Sequence, residues 1–331
     1  MSKRPFYPEL AVVTGAGSGI GRGTSKAFAG IGAKVVVVDI NRAHADETVA
    51  IIEAAGGEAV AYTVDVSDTA ALEDLGARVK VEHGVPDAVL NNAGILVGGP
   101  FLETPDADFQ RIIDINMMAM IHGCRIFGAQ MVERGRGGQL ANVASLAAFG
   151  PARFTSGYSV GKYAIKHFGD CLRAEFAHHD IGVTTICPGL IATNLADTAA
   201  VSSIDEAQAG VGKVAARRLM TRLGMHPDKA GQIVVDAMRR NLPIRPIRPE
   251  AYAFQAVGRV APGLWRGLAR VAMGPELEAL GRGFLARPDS TAQVAALVGR
   301  MGSKDVGNPA ESPDFARLLD SSSTRHAGTE S

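Results

Sequence analysis

Tyr158 and Lys162 are the two side chains in this sequence that are best suited to proton transfer. Residues at positions i and i+4 lie on the same face of a helix, so the phenol and the ammonium would be neighbours. A free phenol has a pKa of about 10 and is a poor base at neutral pH, but a nearby positive charge favours the phenolate. The pair therefore predicts general acid–base chemistry at Tyr158, with Lys162 lowering the pKa of the phenol.

Other polar residues stand where predicted strands end or soon after. Ser145 follows a strand and precedes Tyr158 by 13 residues, and Asn116 lies in the sequence Asp-Ile-Asn. Asn91-Asn92-Ala93-Gly94 closes the fourth predicted strand, and residues 188–193 close the sixth. Ligands of parallel α/β sheets bind beyond the carboxyl ends of the strands, so these segments are candidates for one site.

A glycine-rich segment, Thr14-Gly15-Ala16-Gly17-Ser18-Gly19-Ile20-Gly21, follows the first predicted strand and precedes a helical pattern. Glycine lets the backbone approach a pyrophosphate closely, and the phosphate then lies at the positive N-terminus of the helix. Ile20 occupies the last glycine position of a strict Gly-x-Gly-x-x-Gly pattern counted from Gly15. By itself the segment is therefore a weak indicator of dinucleotide binding.

Asp39 ends the second predicted strand, 18 residues after Gly21. A carboxylate there can accept hydrogen bonds from both hydroxyls of an adenosine ribose and would repel a 2′-phosphate. We therefore expect NAD as the cofactor in preference to NADP, although the nearby Arg42 favours NADP. An ordinary solvated strand end is the alternative interpretation of Asp39.

The elements that must position these residues follow a repeated βα pattern up to about residue 190. Several of the strand candidates are rich in valine and lack polar alternation, as in a parallel sheet buried on both faces. This pattern predicts an α/β fold with a doubly wound parallel sheet. The strand candidates are Leu10–Thr14, Lys34–Asp39, Glu58–Val64, Asp87–Leu90, Gln139–Ala144 and Gly182–Cys187.

Taken together and in this order, the motifs resemble those of the short-chain dehydrogenase/reductase family over residues 8–195. The resemblance implies a Rossmann-type fold with helices on both faces of the sheet. It implies that Tyr158 gives a proton to the carbonyl oxygen in reduction and takes it back in oxidation. Lys162 would also bind the nicotinamide ribose, Ser145 would polarise the substrate oxygen, and Asn116 would hold a water that connects Lys162 to solvent.

The resemblance also implies a set of cofactor contacts and no metal. Asp65 has an alternative interpretation as the N-cap of the next helix, and Asn91 is expected to be structural. The pyrophosphate would be contacted by the turn residues Gly15, Ser18, Gly19, Ile20 and Gly21, and the adenosine ribose by Asp39. The adenine would be contacted by Asp65 and Val66, the underside of the ribose by Asn92 and Ala93, and the carboxamide by Ile191 and Thr193. The reacting end of the cofactor would lie against Tyr158 and Lys162.

The composition limits the remaining possibilities. The 331 residues are 47% hydrophobic and 21% charged, which is typical of a globular α/β domain with an appendage. The formal net charge of zero gives no reason to expect a nucleic acid partner. Neither a secretory signal nor 18 consecutive uncharged apolar residues occur, so we expect a cytoplasmic protein. Cys124, Cys171 and Cys187 lack metal or disulfide spacing and are expected to be buried, reduced thiols.

We divide the chain into a catalytic domain over 1–250, an amphipathic helical extension over 251–300 and a disordered tail over 301–331. Residues 195–212 are predicted to form a mobile loop or short helices. The proline-rich segment 243–249 is predicted to be an extended linker, in place of the family's seventh strand and Gly-Gly turn. Pro262 is expected to divide the extension into two helices. Its apolar face is predicted to carry Val257, Leu264, Leu268 and Val271, and its basic face Arg259, Arg266 and Arg270.

Two features bear on partners. Residues 213–270 carry 12 Lys and Arg against three acids, which indicates either contact with an anionic membrane surface or CoA-linked substrate, or a solvated basic face. Apolar side chains in and around residues 195–215 and 251–275 could cover a hydrophobic alcohol or ketone; alternatively they pack a dimer interface or the extension's own core. These side chains are Phe149, Phe154, Leu190, Leu195, Tyr252, Phe254 and Trp265.

The sequence thus predicts an NAD-dependent oxidoreductase that moves hydride between the nicotinamide and a secondary alcohol or ketone, with a hydrophobic substrate. A 3-oxoacyl-type or other carbonyl reductase using NADP is the enzymatic alternative. A catalytically idle NAD-binding scaffold or sensor is the alternative of another class, which the presence of all four catalytic side chains disfavours. Family resemblance implies a homodimer or homotetramer.

Overall fold

The computed structural model describes residues 6–193, 195, 200–201, 220 and 222–271. All of these fall in one compact unit formed by residues 1–203 and 216–273. Most of the predicted mobile segment 195–212, the rest of the extension beyond residue 271 and the predicted tail 301–331 lie outside the described residues. Their predicted conformations stay predictions.

Seven parallel strands form the main sheet, in the order β3-β2-β1-β4-β6-β7-β9. The predicted doubly wound α/β fold is confirmed, since the chain moves outward from β1 to β3 and then returns to start the other half at β4. A separate pair, β5 and β8, forms a short second sheet. The strands are β1 Leu10–Thr14, β2 Lys34–Asp39, β3 Ala59–Thr63, β4 Ala88–Asn91, β5 Val97–Gly98, β6 Gly138–Val143, β7 Ile181–Pro188, β8 Ala200–Val201 and β9 Ile244–Ile247.

Helices connect the strands and cover both faces of the sheet. A single π-helical turn, Asp114–Met118, joins α4 to α5 in one continuous helix. Asn41 and Asp68 cap α2 and α3 by accepting backbone N–H groups with their side chains. The helices are α1 Gly19–Ala29, α2 Arg42–Ala54, α3 Thr69–Glu82, α4 Asp106–Ile113, α5 Ala119–Arg134, α6 Ser156–Glu175, α7 Pro227–Arg239, α8 Pro249–Val260 and α9 Pro262–Val271.

The central positions of the valine-rich strands are all apolar because both faces of these strands are buried. Val37 of β2 lies in the core cluster that also holds Phe28 of α1. Its neighbour Val36 points to the opposite face and lies in the cluster of Leu72 and Phe127. Alternate residues of one strand thus enter two different cores, which removes the polar alternation of a half-exposed strand.

The prediction of a linker over 243–249 is wrong, because residues 244–247 form β9, the seventh strand of the sheet. Thr185 N–H donates to Pro243 O (3.0 Å), and Gly189 N–H donates to Ile247 O (3.0 Å). The backbone polar groups of residues 243 and 247 therefore point toward β7. Backbone direction alternates along a strand, so Pro246 directs its nitrogen to the open edge of the sheet. Proline is tolerated in an edge strand at such a position since no ladder hydrogen bond is lost.

The described part of the extension forms two helices that separate at Ala261, as the position of Pro262 predicts. Phe254 of α8 and Trp265 of α9 pack against each other with ring centroids 4.2 Å apart. Leu264, one of the residues predicted to share an apolar face, is 58% exposed, and the side chains of Leu268 and Val271 lie outside the described residues. The change of axis at Ala261 breaks the single helical periodicity on which that prediction depends.

One continuous helix, Asp106–Arg134, is long and apolar enough to cross a membrane by length and composition alone. Its apolar side chains have partners within the domain, since Met120, Phe127 and Met131 are buried in the core. The composition of this helix therefore follows from its central position in the domain.

The prediction that all three cysteines are buried is correct for Cys124 and Cys187 and wrong for Cys171. Cys171 lies on the outer face of α6, as do the exposed Val160 and Tyr163. Apolar neighbours in the sequence thus belong to a helix face that points away from the sheet.

Candidate active site

A cleft of about 500 Å³ opens at the carboxyl ends of the strands, where β1 and β4 lie side by side and the two halves of the sheet diverge. Such switch points are where parallel α/β sheets bind ligands. All but two of the predicted site residues line this cleft. Those that do are Gly15, Ser18, Gly19, Ile20, Asp39, Asp65, Val66, Asn92, Ala93, Ser145, Tyr158, Lys162, Ile191 and Thr193.

The glycine-rich turn is fastened to the end of β4 by Asn92. The Asn92 side-chain amide donates to Thr14 O (2.9 Å) and Gly15 O (3.1 Å). Gly15 has a φ of 60°, and a Cβ there would lie 2.9 Å from Ala93 Cα. The turn therefore needs glycine at position 15 for both conformation and space.

Asp39 has a structural partner that the sequence does not reveal. Its Oδ2 accepts the Gly17 N–H (2.8 Å) and its Oδ1 accepts the Asn41 N–H (2.9 Å). The carbonyl of Gly17 in turn accepts a hydrogen bond from the Arg22 guanidinium (2.5 Å). Two ionised side chains thus fix both backbone polar groups of Gly17, and Asp39 holds the turn as well as lining the cleft.

Gly21 is one of the two predicted site residues that do not line the cleft. It lies in the first turn of α1, and a Cβ there would lie 2.7 Å from the Asn92 side-chain nitrogen and still closer to Gly15 O. Its lack of a side chain lets the helix approach the turn. The structure therefore gives Gly21 a packing role where the sequence predicted a ligand contact.

Asp65 lines the cleft, and its alternative interpretation as a helix N-cap is wrong. Its Oδ1 accepts hydrogen bonds from Ser67 N (2.9 Å) and Ser67 Oγ (2.7 Å). The N-cap of α3 is Asp68, which accepts the Ala71 N–H (3.1 Å). Both aspartates follow β3, so only the local backbone conformation distinguishes their roles.

Tyr158, in the first turn of α6, lies beside Ser145, which follows β6. Burial raises the pKa of the Tyr158 phenol above its ordinary value, and a hydrogen bond with Ser145 lowers it in part. The protein's own side chains thus shift this pKa in the direction opposite to the predicted one. The reason is that removing a phenolate from water outweighs the hydrogen bond.

Lys162 is almost fully buried, one turn after Tyr158 on α6. Its ammonium donates to Val143 O at the end of β6 (2.9 Å) and lies 5.7 Å from the centre of the Tyr158 ring. Burial lowers the pKa of Lys162 to about 7. The amine can therefore change its charge near neutral pH, next to the phenol.

Asn116 does not line the cleft, but it lies directly behind Lys162 in the π-helical turn between α4 and α5. Its side chain pairs with both backbone groups of Ile95, accepting from N (2.9 Å) and donating to O (2.8 Å). A Cβ at Gly94 would lie 2.9 Å from Asn116 Oδ1 and 3.3 Å from Lys162 Nζ. Asn116 thus holds the segment after β4 against the lysine.

Asn91 is structural, as expected. Its side-chain amide donates to Asn142 Oδ1 (2.9 Å) and to Cys124 Sγ (3.4 Å) within the core, below the cleft.

The four side chains predicted for catalysis are brought together by elements from different parts of the chain. They are Ser145 after β6, Tyr158 and Lys162 on α6, and Asn116 between α4 and α5.

Of the seven side chains considered as an apolar cover, only Leu195 lines the cleft. Phe254 and Trp265 contact each other, and the Trp265 indole occupies the space where Gly150 would carry a Cβ. These two residues therefore pack the extension onto the loop after Ser145, in agreement with the alternative interpretation.

Sequence reasoning missed several residues of the cleft wall. Those near Asp39 follow β2 directly and could have been found by extending the motif. Ile115 precedes Asn116, whereas Arg111 and Met220 carry no local signal and reach the cleft through the tertiary fold alone. The missed residues are Ile40, Asn41, His44, Val64, Ser67, Ile95, Arg111, Ile115, Val143, Ala144 and Met220. Among the described residues, no group of three or more His, Cys, Asp or Glu side chains could hold a metal ion.

Comparison with known proteins agrees with this fold and arrangement of residues. Residues 9–202 match the family model described as short chain dehydrogenase. The chain therefore belongs to the short-chain dehydrogenase/reductase family of oxidoreductases.

Among curated relatives, the probable oxidoreductase EphD of Mycobacterium tuberculosis is 45% identical over 273 residues, which cover 80% of this chain and 45% of the relative. The chain thus spans about half the length of that relative. A 1-deoxy-11-beta-hydroxypentalenate dehydrogenase of Streptomyces avermitilis is 34% identical over 190 residues, covering 57% of this chain and 70% of the relative.

Solved structures show the same fold. A short chain dehydrogenase/reductase from Burkholderia phymatum, in complex with NAD, has a TM-score of 0.72 and 24% identity, covering 79% of this chain and 96% of that one. A putative NAD(P) dependent gluconate 5-dehydrogenase from Beutenbergia cavernae, with bound NADP at low occupancy, has a TM-score of 0.64 and 23% identity, covering 74% and 97%. Proteins of this fold thus bind either dinucleotide.

Proposed function

We propose that this protein is an NAD-dependent oxidoreductase that interconverts a secondary alcohol and a ketone. The observation that carries the proposal is the placement of Ser145, Tyr158 and Lys162 along one cleft that also holds Asp39. A hydroxyl, a phenol and an amine next to one another supply the groups needed to move a proton to or from a carbinol oxygen.

The residues present fit a dinucleotide. Gly15 and Gly19 leave the cleft wall without side chains at the turn before α1, where a pyrophosphate would meet the positive helix N-terminus. Each oxygen of Asp39 already accepts one backbone N–H, and a carboxylate oxygen has a second lone pair that can accept a ribose hydroxyl. Asp65 likewise uses one oxygen for Ser67 and has its other oxygen for the adenine.

The preference for NAD is supported by the partner of Arg42. Its guanidinium pairs with Asp46 one turn along α2 (2.8 Å) on the exposed surface. An arginine held in this way is directed to its own helix, whereas Asp39 presents a negative charge to the cleft. A 2′-phosphate would therefore meet the negative charge of Asp39 next to an arginine that already has an acidic partner.

In the proposed reaction, Tyr158 takes the proton of the substrate hydroxyl during oxidation and returns a proton to the carbonyl oxygen during reduction. Ser145 hydrogen-bonds the same oxygen and stabilises the charge that develops on it. Bound nicotinamide would supply the hydride acceptor or donor and, when oxidised, a positive charge. Since burial alone raises the pKa of Tyr158, its phenolate depends on such nearby positive charge, to which a protonated Lys162 contributes.

We further propose a substrate with an apolar body. Leu195 and Met220 line the cleft together with Ile95, Ile115 and Ile191, so its wall carries large apolar side chains between the polar groups. The relative that is named for hydroxypentalenate dehydrogenation acts on a hydroxyl-bearing substrate by its name. An apolar wall with a few convergent polar groups is the usual form of a small-molecule site.

Absorbance of NADH at 340 nm tests the proposal. The purified protein is mixed with NAD or NADP and a panel of secondary alcohols, from cyclohexanol and long-chain 2-alkanols to sterols, with sugars and amino-acid alcohols as the polar arm. We expect turnover with NAD to exceed turnover with NADP, and the apolar alcohols to exceed the polar ones. Best turnover on a sugar would contradict the apolar substrate, and an absence of NADH binding would contradict the function itself.

We also propose a homodimer or homotetramer, because α6 carries exposed Val160 and Tyr163 on the face that points away from the sheet. Light scattering after size-exclusion chromatography measures the mass directly. A monomer at micromolar concentration would contradict this assembly.

A further inference from the structure

Arg248, the residue that directly follows β9, has a backbone conformation that only glycine adopts readily. Its φ is 82° and its ψ is 154°. A side chain in this region is strained, and such strain persists only where surrounding contacts hold the residue in place. Strained residues are often associated with function, so the contacts of Arg248 require an explanation.

The Arg248 guanidinium has two partners that come from different segments. Its Nε lies 2.7 Å from Glu250 Oε1, with both side chains about a quarter exposed (24% and 28%). A terminal nitrogen of the same side chain donates to the carbonyl oxygen of Leu223. One strained residue therefore joins the start of α8 to the segment that leads into α7.

Glu250 connects Arg248 to the loop after β7, which lines the cleft. Its Oε1 also accepts the Leu190 N–H (3.0 Å), and a Cβ at Gly189 would lie 2.5 Å from the same oxygen. Gly189 and Ile191 line the cleft. The carboxylate is thus seated directly against the back of the loop after β7.

Backbone hydrogen bonds complete a closed set of contacts. Leu190 O accepts the Met225 N–H (3.0 Å), and Met225 O accepts the Ala192 N–H (2.9 Å). The loop after β7 and the segment before α7 are the two ends of the stretch from which Leu195 and Met220 reach the cleft. Arg248 and Glu250 hold both ends at once.

We propose that Arg248 and Glu250 form a positioning clamp, which sets the loop 188–193 at the depth required for binding the nicotinamide end of the cofactor and anchors both ends of the segment between residues 193 and 222. The clamp rests on the proposed function, since it assigns that loop to the cofactor. Neither side chain lines the cleft, so both act through Leu190 and Leu223 without touching the reacting groups. The strain at Arg248 is retained because only a side chain at that position reaches both partners.

The substitution Arg248→Gly separates a positioning role from a purely structural one, because it relaxes the backbone while removing the guanidinium. Glycine relieves the strain of a positive φ, and a partly exposed ion pair contributes little, so the melting temperature should not fall. NADH binding, measured by fluorescence titration, should nevertheless weaken about tenfold through misplacement of the loop. Glu250→Gln, which removes the charge but keeps the shape, should weaken binding in the same direction by a smaller factor.

Two further readouts identify the clamp. Amide hydrogen exchange of residues 189–193 and 222–226 should accelerate in free Arg248→Gly protein, and millimolar guanidinium should restore NADH affinity in this variant. Asp180→Gly is the matched control, because Asp180 is exposed and also has a positive φ (55°); it should leave NADH affinity and exchange unchanged.

Wild-type affinity and unchanged exchange in Arg248→Gly would overturn the clamp, as would a loss of affinity that appears only together with a fall in melting temperature. If wild-type protein itself does not bind NADH, the proposed function is what fails, and the exchange rates alone then decide whether the clamp exists.

Discussion

The two halves of the sheet build their parts of the cleft in different ways. On the β1–β3 side, the site comes from short contiguous segments, the turn over residues 14–21 and the strand end at Asp39, which contact each other directly. On the side of β4, β6, β7 and β9, it is assembled from residues far apart in the chain, such as Ser145, Tyr158 and Thr193, while Asn116 and Glu250 support it from outside the cleft.

The difference follows from what each half does in the proposed function. Binding a pyrophosphate needs backbone N–H groups and a helix N-terminus, which one strand–turn–helix unit supplies by itself. Moving a proton needs several side chains around one oxygen atom, and one element cannot place them all. Substitutions in the glycine-rich turn and at Asp39 should therefore change cofactor affinity, and substitutions of the side chains that move the proton should change the rate of the chemical step.

The largest effect is expected for Tyr158→Phe, which removes the proton-transferring oxygen and nothing else. The rate of alcohol oxidation should fall about 10³-fold, while NADH affinity changes by less than about twofold. Tyr163→Phe, on the exposed side of the same helix, is the matched control and should keep the full rate. Steady-state kinetics and fluorescence titration measure the two quantities, and a Tyr158→Phe variant with a normal rate would refute the assignment.

Lys162→Met should slow oxidation about 10²-fold and yet stabilise the protein. The pKa of Lys162 is about 7 in the folded chain, against 10.5 ordinarily. Below pH 7 the lysine is protonated in both states, so the full cost of the buried charge is present, and this cost fades as pH rises from 7 toward 10.5. The variant's gain in melting temperature should thus be larger at pH 6 than at pH 9.5.

Calorimetry at these two pH values measures the gain, with Lys166→Met as the comparison, since Lys166 is partly exposed and lies near Asp170 (3.7 Å) on the same helix. Equal gains for both variants, or a lower melting temperature for Lys162→Met, would contradict the assignment of a buried amine with a lowered pKa.

An intermediate effect is expected for Asp39→Ala on the nucleotide-binding side. The substitution removes the acceptors for the ribose and also the acceptor for Gly17 N–H, so NADH should bind about tenfold more weakly. Because the turn itself loosens, NADPH affinity should stay below the wild-type affinity for NADH. Titration with both nucleotides tests this, and an NADPH affinity equal to that wild-type value would show that Asp39 acts on specificity alone.

The smallest effect is expected for Arg42→Ala. Both members of the Arg42–Asp46 pair are more than half exposed, and such pairs contribute little to stability. NADH and NADPH affinities should each change by less than about twofold. A loss of NADPH binding that spares NADH would show that Arg42 turns toward the cleft and would weaken the argument for NAD.

The sequence predicts the fold well because buried parallel strands leave a strong apolar signal. The bounds predicted for β1 and β2 agree with the structure to the residue, and those of β3, β4, β6 and β7 agree to within one residue at either end. The edge strand β9 was missed, since Pro243, Pro246 and Pro249 resemble a linker. Nothing local shows that Pro246 faces the open edge.

For the site, the motifs identify which residues meet but give little of their surroundings. Ser145, Tyr158 and Lys162 were correctly placed at one cleft, whereas the direction of the Tyr158 pKa shift depends on burial, which a motif does not show. The hydrogen bond from Gly17 to Asp39 and the contacts that hold the strained Arg248 likewise join segments that are distant in the chain. Asp39 belongs to a motif that the sequence shows, whereas Arg248 belongs to none.

By itself the sequence determined the α/β class, the turn before α1, and the Tyr158–Lys162 pair on α6, because each of these depends on the order and spacing of nearby residues. Tertiary structure alone decided that Gly21 packs against the turn, that Phe254 and Trp265 fasten the extension to the loop after Ser145, and that Glu250 supports Leu190. Such contacts are set by the distance between elements that are remote in the chain, and residue spacing along the sequence does not encode that distance.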